Sequence, residues 1–333
     1  MVGFALFGAG RIGRLHAHNI LRHPRAELVQ LYDVLRPAAE ALARETGAAV
    51  APSIEAALAD SRVQAIIIAS STDTHVDLIT RGVRAGKAVF CEKPIALDLA
   101  RVDACWREIE PFDPLFQIGF NRRFDPSMAE LKRRLDAQEL GPLRQLVITS
   151  RDPDLPSLDY LRRSGGILRD MTIHDFDMAR FLLPEEPQEV MCMASVQFEP
   201  RLAELGDHDT AVVLLRTRSG IQAVIMNSRR AAYGYDQRVE ALCEEGALFV
   251  GNLRPHAVER WDSGATGAAA PLLHFFVERY RESYERELDA FIEAIERGQP
   301  PPVGFEDGRR ALLLAEAAYR SLAQGGVVAV PSS

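Results

Sequence analysis

Cysteine is scarce in this sequence: Cys91, Cys105, Cys192 and Cys243 are the only four in 333 residues. None lies in a C-x-x-C pair, and no cysteine–histidine cluster has zinc spacing, so no metal is expected. The four read as buried thiols of a reducing compartment. Long apolar runs are missing as well, since none approaches the ~18 residues needed to span a bilayer. The apolar start MVGFALFGAG has neither a basic lead nor a cleavage site, which sets aside a secretory signal. The expected location is therefore cytoplasmic, with no membrane partner. Basic charge is short too. With 39 Lys and Arg against 47 Asp and Glu, the formal net charge is -8, which argues against a nucleic-acid partner. No internal repeat occurs, and the one low-complexity stretch, GATGAAA at 264–270, reads as a loop.

What is present suits a globular protein of two domains. The chain is 47% hydrophobic and 26% charged, enough apolar material for two cores. Short apolar runs at Gly3–Phe7, Glu27–Asp33, Ala65–Ala69, Ala88–Cys91 and Leu115–Ile118 alternate with helical patterns at Ile12–His23, Pro37–Thr46, Ser53–Ala59, Val76–Ala85 and Leu97–Phe112. Continuously apolar strands such as AIIIA belong in parallel sheets covered on both faces. The alternation predicts a doubly wound α/β Rossmann domain over 1–120.

After about residue 120 the pattern changes. A helix at Pro126–Ala137 and a strand at Leu143–Arg151 lead through a Pro-rich loop to a helix at Thr172–Leu183. Longer strands follow at Glu189–Phe198, Thr210–Arg218, Ile221–Ser228, Arg238–Leu242 and Ala247–Gly251. Ser219-Gly220 and Glu245-Gly246 read as hairpin turns. Helices at Ser283–Ile295 and Glu306–Ala323 and an apolar run at Val327–Val330 close the chain. Residues 121–333 thus read as an α+β domain with a large, mainly antiparallel open sheet.

Gly8-Ala9-Gly10-Arg11-Ile12-Gly13 fits G-x-G-x-x-G between a strand and a helix, the context that a dinucleotide site requires. Gly8 permits the tight turn, Gly10 the approach of a pyrophosphate, and Gly13 close helix–strand packing. The helix start, with Arg11 and Ile12, offers amides and a positive dipole end to phosphate. Asp33 ends the second strand, where a carboxylate accepts from ribose hydroxyls and repels a 2′-phosphate. The expected cofactor is therefore NAD, with NADP disfavoured, although Arg36 is near enough to pair with a 2′-phosphate.

Six segments then carry a resemblance: AGRIGRLHA (9–17), ASSTDTH (69–75), CEKPIAL (91–97), GFNRRFDP (119–126), SGGILRDMTIHDFDMARF (164–181) and NSRRAAYGYDQR (227–238). Together they resemble the glucose–fructose oxidoreductase / inositol dehydrogenase (Gfo/Idh/MocA) family along nearly the whole chain, and the last three resemble its inositol dehydrogenases. The resemblance implies NAD-dependent oxidation of a secondary alcohol on a cyclic polyol, myo-inositol to 2-keto-myo-inositol foremost. It also implies a homo-oligomer, a tetramer or dimer, and the apolar strands Thr210–Val213 and Ile221–Ile225 are where a partner copy is expected.

Within those segments the chemistry falls on a few residues. Lys93, after the fifth strand, resembles the family's Glu-Lys-Pro lysine, whose ammonium contacts the nicotinamide ribose and polarises the carbinol oxygen; Glu92 precedes it. Asp170 and His174 are spaced i, i+4. The resemblance makes His174 the base that takes the hydroxyl proton. Asp170 either fixes its tautomer or binds substrate hydroxyls. The imidazole and the Lys93 ammonium are expected to meet at one carbon from two domains. Ser71, Thr72 and His75 follow the fourth strand and match the segment beside the nicotinamide; for His75 a capping role is the alternative. Of Arg122 and Arg123, one reaches the cleft, assigned as Arg123, and the other pairs structurally. Asp152 either lines the pocket or caps a turn. Tyr233 and Tyr235 offer a flat apolar face and a hydroxyl, which suit a ring polyol. Carboxylates mixed with donors match vicinal hydroxyls, each of which gives and accepts hydrogen bonds.

The same framework admits other cyclitol or sugar dehydrogenases, an NAD-dependent glycosidase, and a non-catalytic NAD sensor. A glycosidase would show no net NADH, and a sensor would have no need of a proton acceptor at 174.

Overall fold

The computed structural model describes residues 1–331. Its elements in chain order are β1 (Val2–Phe7), α1 (Arg11–Arg22), β2 (Ala26–Tyr32), α2 (Arg36–Thr46), β3 (Ala49–Val50), α3 (Ile54–Ala59), β4 (Ala65–Ile68), α4 (His75–Arg84), β5 (Ala88–Glu92), α5 (Leu99–Ile109), β6 (Phe116–Gly119), α6 (Pro126–Asp136), β7 (Leu143–Arg151), α7 (Leu158–Leu161), α8 (Ile167–Asp170), α9 (Thr172–Leu182), β8 (Pro187–Ser195), α10 (Arg201–Glu204), β9 (Thr210–Thr217), β10 (Gln222–Ser228), β11 (Asp236–Cys243), β12 (Ala247–Val250), β13 (Glu259–Arg260), β14 (Ala268–Ala269), α11 (Phe276–Arg279), α12 (Arg281–Arg297), α13 (Phe305–Gln324) and β15 (Val328–Ala329). They divide into two compact units. One holds Met1–Phe124 with Glu282–Arg310; the other holds Asp125–Arg281 and the chain from Ala311 onward.

The first unit is a six-stranded parallel sheet in the order β3-β2-β1-β4-β5-β6. Every residue of β1 and β4 is buried, as a strand covered on both faces requires. The strand order reverses between β1 and β4, and ligands of doubly wound sheets bind beyond the carboxyl ends at that point. Phe4, Leu6, Ile20, Leu31, Ile67 and Phe90 form the core with Leu288, Phe291 and Ile292 of α12. The Phe291 ring lies 6.3 Å from Phe4 and 5.8 Å from Phe90. Local starts are legible: Ser53 accepts from the Ala56 amide and Asp98 from the Arg101 amide, each satisfying an orphan donor of a helix N-terminus. The expected helix Leu97–Phe112 is shorter. It begins after the Asp98 cap, and Pro111 lies in a 3-10 turn, Glu110–Phe112, that follows Ile109, because proline has no amide for the helical ladder. β3, only two residues long, carries no pattern that sequence reading could find.

In the second unit seven strands run in the order β12-β11-β7-β10-β9-β8-β15. All pairs are antiparallel except β7 with β10. One face of the sheet, with Leu146, Ile148, Val213, Ala223 and Ile225, is buried, and α9 packs on β7 and β10. The period-2 alternation puts the intervening residues on the other face. There Met193 is 70% exposed, Phe249 69%, Leu214 44% and Val212 42%. The loop expected at 264–270 holds β14, which pairs with β13 in a small ribbon.

Candidate functional site

The glycine turn follows β1 at the strand-order reversal. Gly8 has φ 105°, a region closed to most side chains, and a Cβ there would lie 2.5 Å from the Ala69 carbonyl oxygen. A Cβ on Gly13 would lie 1.9 Å from the Gly8 carbonyl oxygen. Gly10 differs. Its φ of -72° suits any residue, and a Cβ there would meet nothing within 4 Å. The fold itself does not require that glycine; the open space beside it fits a phosphate at the start of α1. That start has no side-chain cap and no acidic residue in its first turn, where Arg11 and Ile12 stand. Asp33 closes the other side: one carboxylate oxygen accepts from the Ala9 amide at 2.7 Å, the other from the Leu35 amide at 2.8 Å. An orphan helix N-terminus, an uncrowded glycine and an ordered carboxylate fit a dinucleotide.

The β4 and β5 ends carry the next residues. Ser71 and Thr72 sit at a 3-10 turn, Thr72–Thr74, with Ser71 exposed and Thr72 half-buried. His75 is buried, its Nδ1 2.8 Å from the Pro94 carbonyl oxygen and its Nε2 3.2 Å from that of Ser70. Burial pushes its pKa down, while the two carbonyls oppose the shift. His75 therefore ties the end of β4 to the residues after β5. Glu92 Oε1 meets His16 Nε2 at 2.7 Å, and a Cβ on Gly119 would crowd its other oxygen at 2.9 Å. Lys93 follows directly and is half-buried, joined to Pro94 by a cis peptide bond. Arg123 donates to Asp307 at 2.8 Å, and Arg122 is buried.

In the second unit Asp170 ends α8 and His174 lies in the first turn of α9, with Met171 between the helices at φ -97°, ψ -58°. Both are half-buried. Asp170 accepts from two donors: the Tyr160 hydroxyl reaches Oδ1 at 2.6 Å, and Arg229 Nη1 reaches Oδ2 at 3.0 Å. Burial and the Asp170 charge raise the Tyr160 pKa, so its hydroxyl stays a donor. Asp152, half-buried beyond β7, donates its amide to the Ser228 carbonyl at 2.9 Å, and its charge acts on Tyr160 and Arg229. The Tyr233 hydroxyl accepts from Arg151 at 2.7 Å and donates to Asp236 at 2.6 Å. Tyr235 is buried, edge-on to Tyr280 with ring centroids 6.1 Å apart.

Arg229 escaped the sequence reading. It looks identical to its exposed neighbour Arg230, yet Ala223, Ile225, Asn227 and Arg229 continue one inward-facing period-2 series. That phase was the available signal. Asn227 shows its value: it accepts from Thr172 and donates to Asp175, both at 2.7 Å, and so docks α9 on β10.

Residues 2–120 match the oxidoreductase family profile described as an NAD-binding Rossmann fold, and residues 128–249 match the GFO/IDH/MocA C-terminal domain. The chain belongs to the Gfo/Idh/MocA family. As a Gfo/Idh/MocA member it is an NAD-dependent oxidoreductase. It is 48% identical over 324 residues to an inositol 2-dehydrogenase of Rhizobium meliloti, covering 97% of both chains. It is 44% identical to a myo-inositol 2-dehydrogenase of Thermotoga maritima, covering 95% of both. Among solved structures of the family, a myo-inositol dehydrogenase from Corynebacterium glutamicum superposes with a TM-score of 0.96 at 44% identity, covering 100% of both chains. A scyllo-inositol dehydrogenase from Lactobacillus casei, with bound NAD(H) and scyllo-inositol, superposes at 0.92 with 27% identity and the same coverage.

Proposed function

We propose that this oxidoreductase converts myo-inositol to 2-keto-myo-inositol. The carbinol C–H bond gives up its electron pair as hydride, and the O–H proton passes to His174. When bound, NAD supplies the acceptor for the hydride. The Lys93 ammonium polarises the carbinol oxygen and stabilises the negative charge that grows there as the proton leaves. The His174 imidazole holds the proton. Asp170, through the oxygen that Arg229 leaves to it, accepts from a substrate hydroxyl beside that imidazole, and Asp152 with Tyr235 meets the remaining hydroxyls and the apolar ring face. The observation that carries the reading is the Asp170 carboxylate, gripped by two donors one helical turn before His174, in a chain so close to an inositol 2-dehydrogenase.

Three finer points belong to the same proposal. Asp33, directly after β2, selects NAD over NADP. The chain works in the cytoplasm, consistent with its four free, buried cysteines. It works as a homo-oligomer, a second copy covering Met193, Val212, Leu214 and Phe249.

NADH formation at 340 nm across inositol isomers and hexoses, with NAD and NADP compared, tests the substrate. myo-Inositol with NAD is expected to give the highest kcat/KM; a panel without turnover overturns the proposal. His174→Ala is expected to lower kcat by about 10² to 10⁴ with NAD affinity unchanged, and full turnover in that variant removes His174 from the reaction.

A further inference from the structure

Arg229 is 1% exposed, the largest of the fully buried side chains. A buried guanidinium is a poor source of stability, because desolvation offsets most of what its partners return, but it fixes one geometry among the groups it touches. Here those groups share one short helix. Nη1 holds Asp170 at the end of α8, and Nη2 lies 3.6 Å from Asp207 Oδ2. Asp207 in turn accepts, through Oδ1, from the amide of Ile167 at 2.8 Å, where α8 begins, and from the His208 amide at 2.8 Å. α8 is thus gripped at both ends by one ion-paired couple. The backbone of Arg229 is anchored too, its amide donating to the Asp209 carbonyl at 2.8 Å, and the Asp209 carboxylate accepts from the amides of Gln197, Phe198 and Glu199.

We propose that Arg229 is a positioning residue for the oxidation, holding the Asp170 carboxylate with Oδ2 turned inward, so that Oδ1 faces a hydroxyl. The Tyr160 hydroxyl takes that Oδ1 position in the structure. The charges that bear on Arg229 are those of Asp170 on α8, Asp207 before β9 and Asp152 beyond β7. Tyr160 on α7 and Tyr319 on α13 feel the Arg229 charge in return, and Arg169 lies over the Tyr319 ring. Burial opposes the charge on Arg229, yet Asp170 and Asp207 hold it above its ordinary value. Without that cation the Asp152, Asp170 and Asp207 carboxylates lose the charge they share, and the uncompensated negative charge favours protonation around them.

The inference rests on the reading that Asp170 serves the reaction, and the experiment separates the two. Arg229→Lys, Arg229→Gln, Asp170→Asn and the double variant Asp170→Asn/Arg229→Gln are assayed with NAD and myo-inositol from pH 5.5 to 9.5, alongside Tm and NAD affinity. Arg229→Lys, which keeps the charge and loses the fork, is expected to lose about tenfold in kcat, and Arg229→Gln about a hundredfold. The acidic limb of kcat/KM is expected to move up by about one pH unit in Arg229→Gln and to stay in place in Arg229→Lys. In the Asp170→Asn background, Arg229→Gln is expected to change kcat less than about twofold. An Arg229→Lys enzyme that folds and keeps wild-type kcat overturns the inference whether or not Arg229→Gln folds. So does an Arg229→Gln loss that adds in full to that of Asp170→Asn. If Asp170→Asn itself turns over normally, the reading of Asp170 falls and takes the inference with it.

Discussion

Gly13 packs its Cα against the carbonyl oxygen of Gly8, so closely that a Cβ would lie 1.9 Å from it. Gly10, between them, has open space on its side-chain face. The two glycines therefore serve different ends, one the packing of α1 on β1 and the other a phosphate.

Two alanine variants separate these roles. Gly10→Ala is expected to keep the wild-type Tm and to lose NAD affinity, since its Cβ enters only the space a pyrophosphate would need. Gly13→Ala is expected to cost about 3 kcal/mol, the upper end for an overpacked site, because the obstacle is backbone and cannot rotate away. Thermal melts and NAD titrations on both variants decide this. A Gly10→Ala protein that binds NAD as tightly as wild type contradicts the assignment.

His75 gives a pH-dependent stability with a defined sign. Its folded pKa lies below the ordinary 6.5 because the ring is buried. Above pH 6.5 the imidazole is neutral in both states, and its contribution is fully present. As pH falls below 6.5 the unfolded chain takes up a proton that the folded one resists, and stability is lost by up to about 1.4 kcal/mol per pH unit until the folded pKa is passed. His75→Gln is expected to flatten that part of the acid slope between pH 6.5 and 5, measured by denaturant midpoints at each pH. An unchanged slope would show that His75 does not titrate in this range.

The open face of the second sheet makes a claim about mass. Leu214 and Val212 point away from the buried face and are about half exposed in one chain, so covering what remains of Leu214 stabilises an interface by about 1 kcal/mol, roughly half the value of burying a leucine in full. Light scattering on the wild type is expected to give a multiple of 36.9 kDa. Leu214→Glu, which places a charge in the middle of that face, is expected to shift the population toward 36.9 kDa. A wild type that scatters as a single chain at micromolar concentration ends this part of the proposal.

Legibility in the sequence followed the reach of each signal. The parallel strands were visible because full burial writes continuous apolar runs such as AIIIA, and the glycine turn because Gly8 and Gly13 each meet backbone while Gly10 leaves room for a phosphate. Leu143–Arg151 was readable to the residue, bounded by Gly141-Pro142 and a proline-rich loop. Partner identity was not readable. Arg229 and Arg230 are the same letter, and only the strand phase separates a buried ion pair from a surface charge. Nothing local tells that Arg123 meets Asp307, 184 positions away. The apolar stripe of α12 announces an amphipathic helix, but Leu288, Phe291 and Ile292 carry no mark of which core they join.

That last placement bears on biosynthesis. A ribosome must deliver nearly nine-tenths of the polypeptide before Phe291 exists to fill the space between Phe4 and Phe90. Until then the nascent N-terminal sheet has an uncovered apolar flank, and it waits, or is chaperoned, while six of the seven strands of the second sheet emerge. A recombinant fragment stopping near residue 124 inherits the same defect permanently, whereas one with 282–310 grafted on regains its lid.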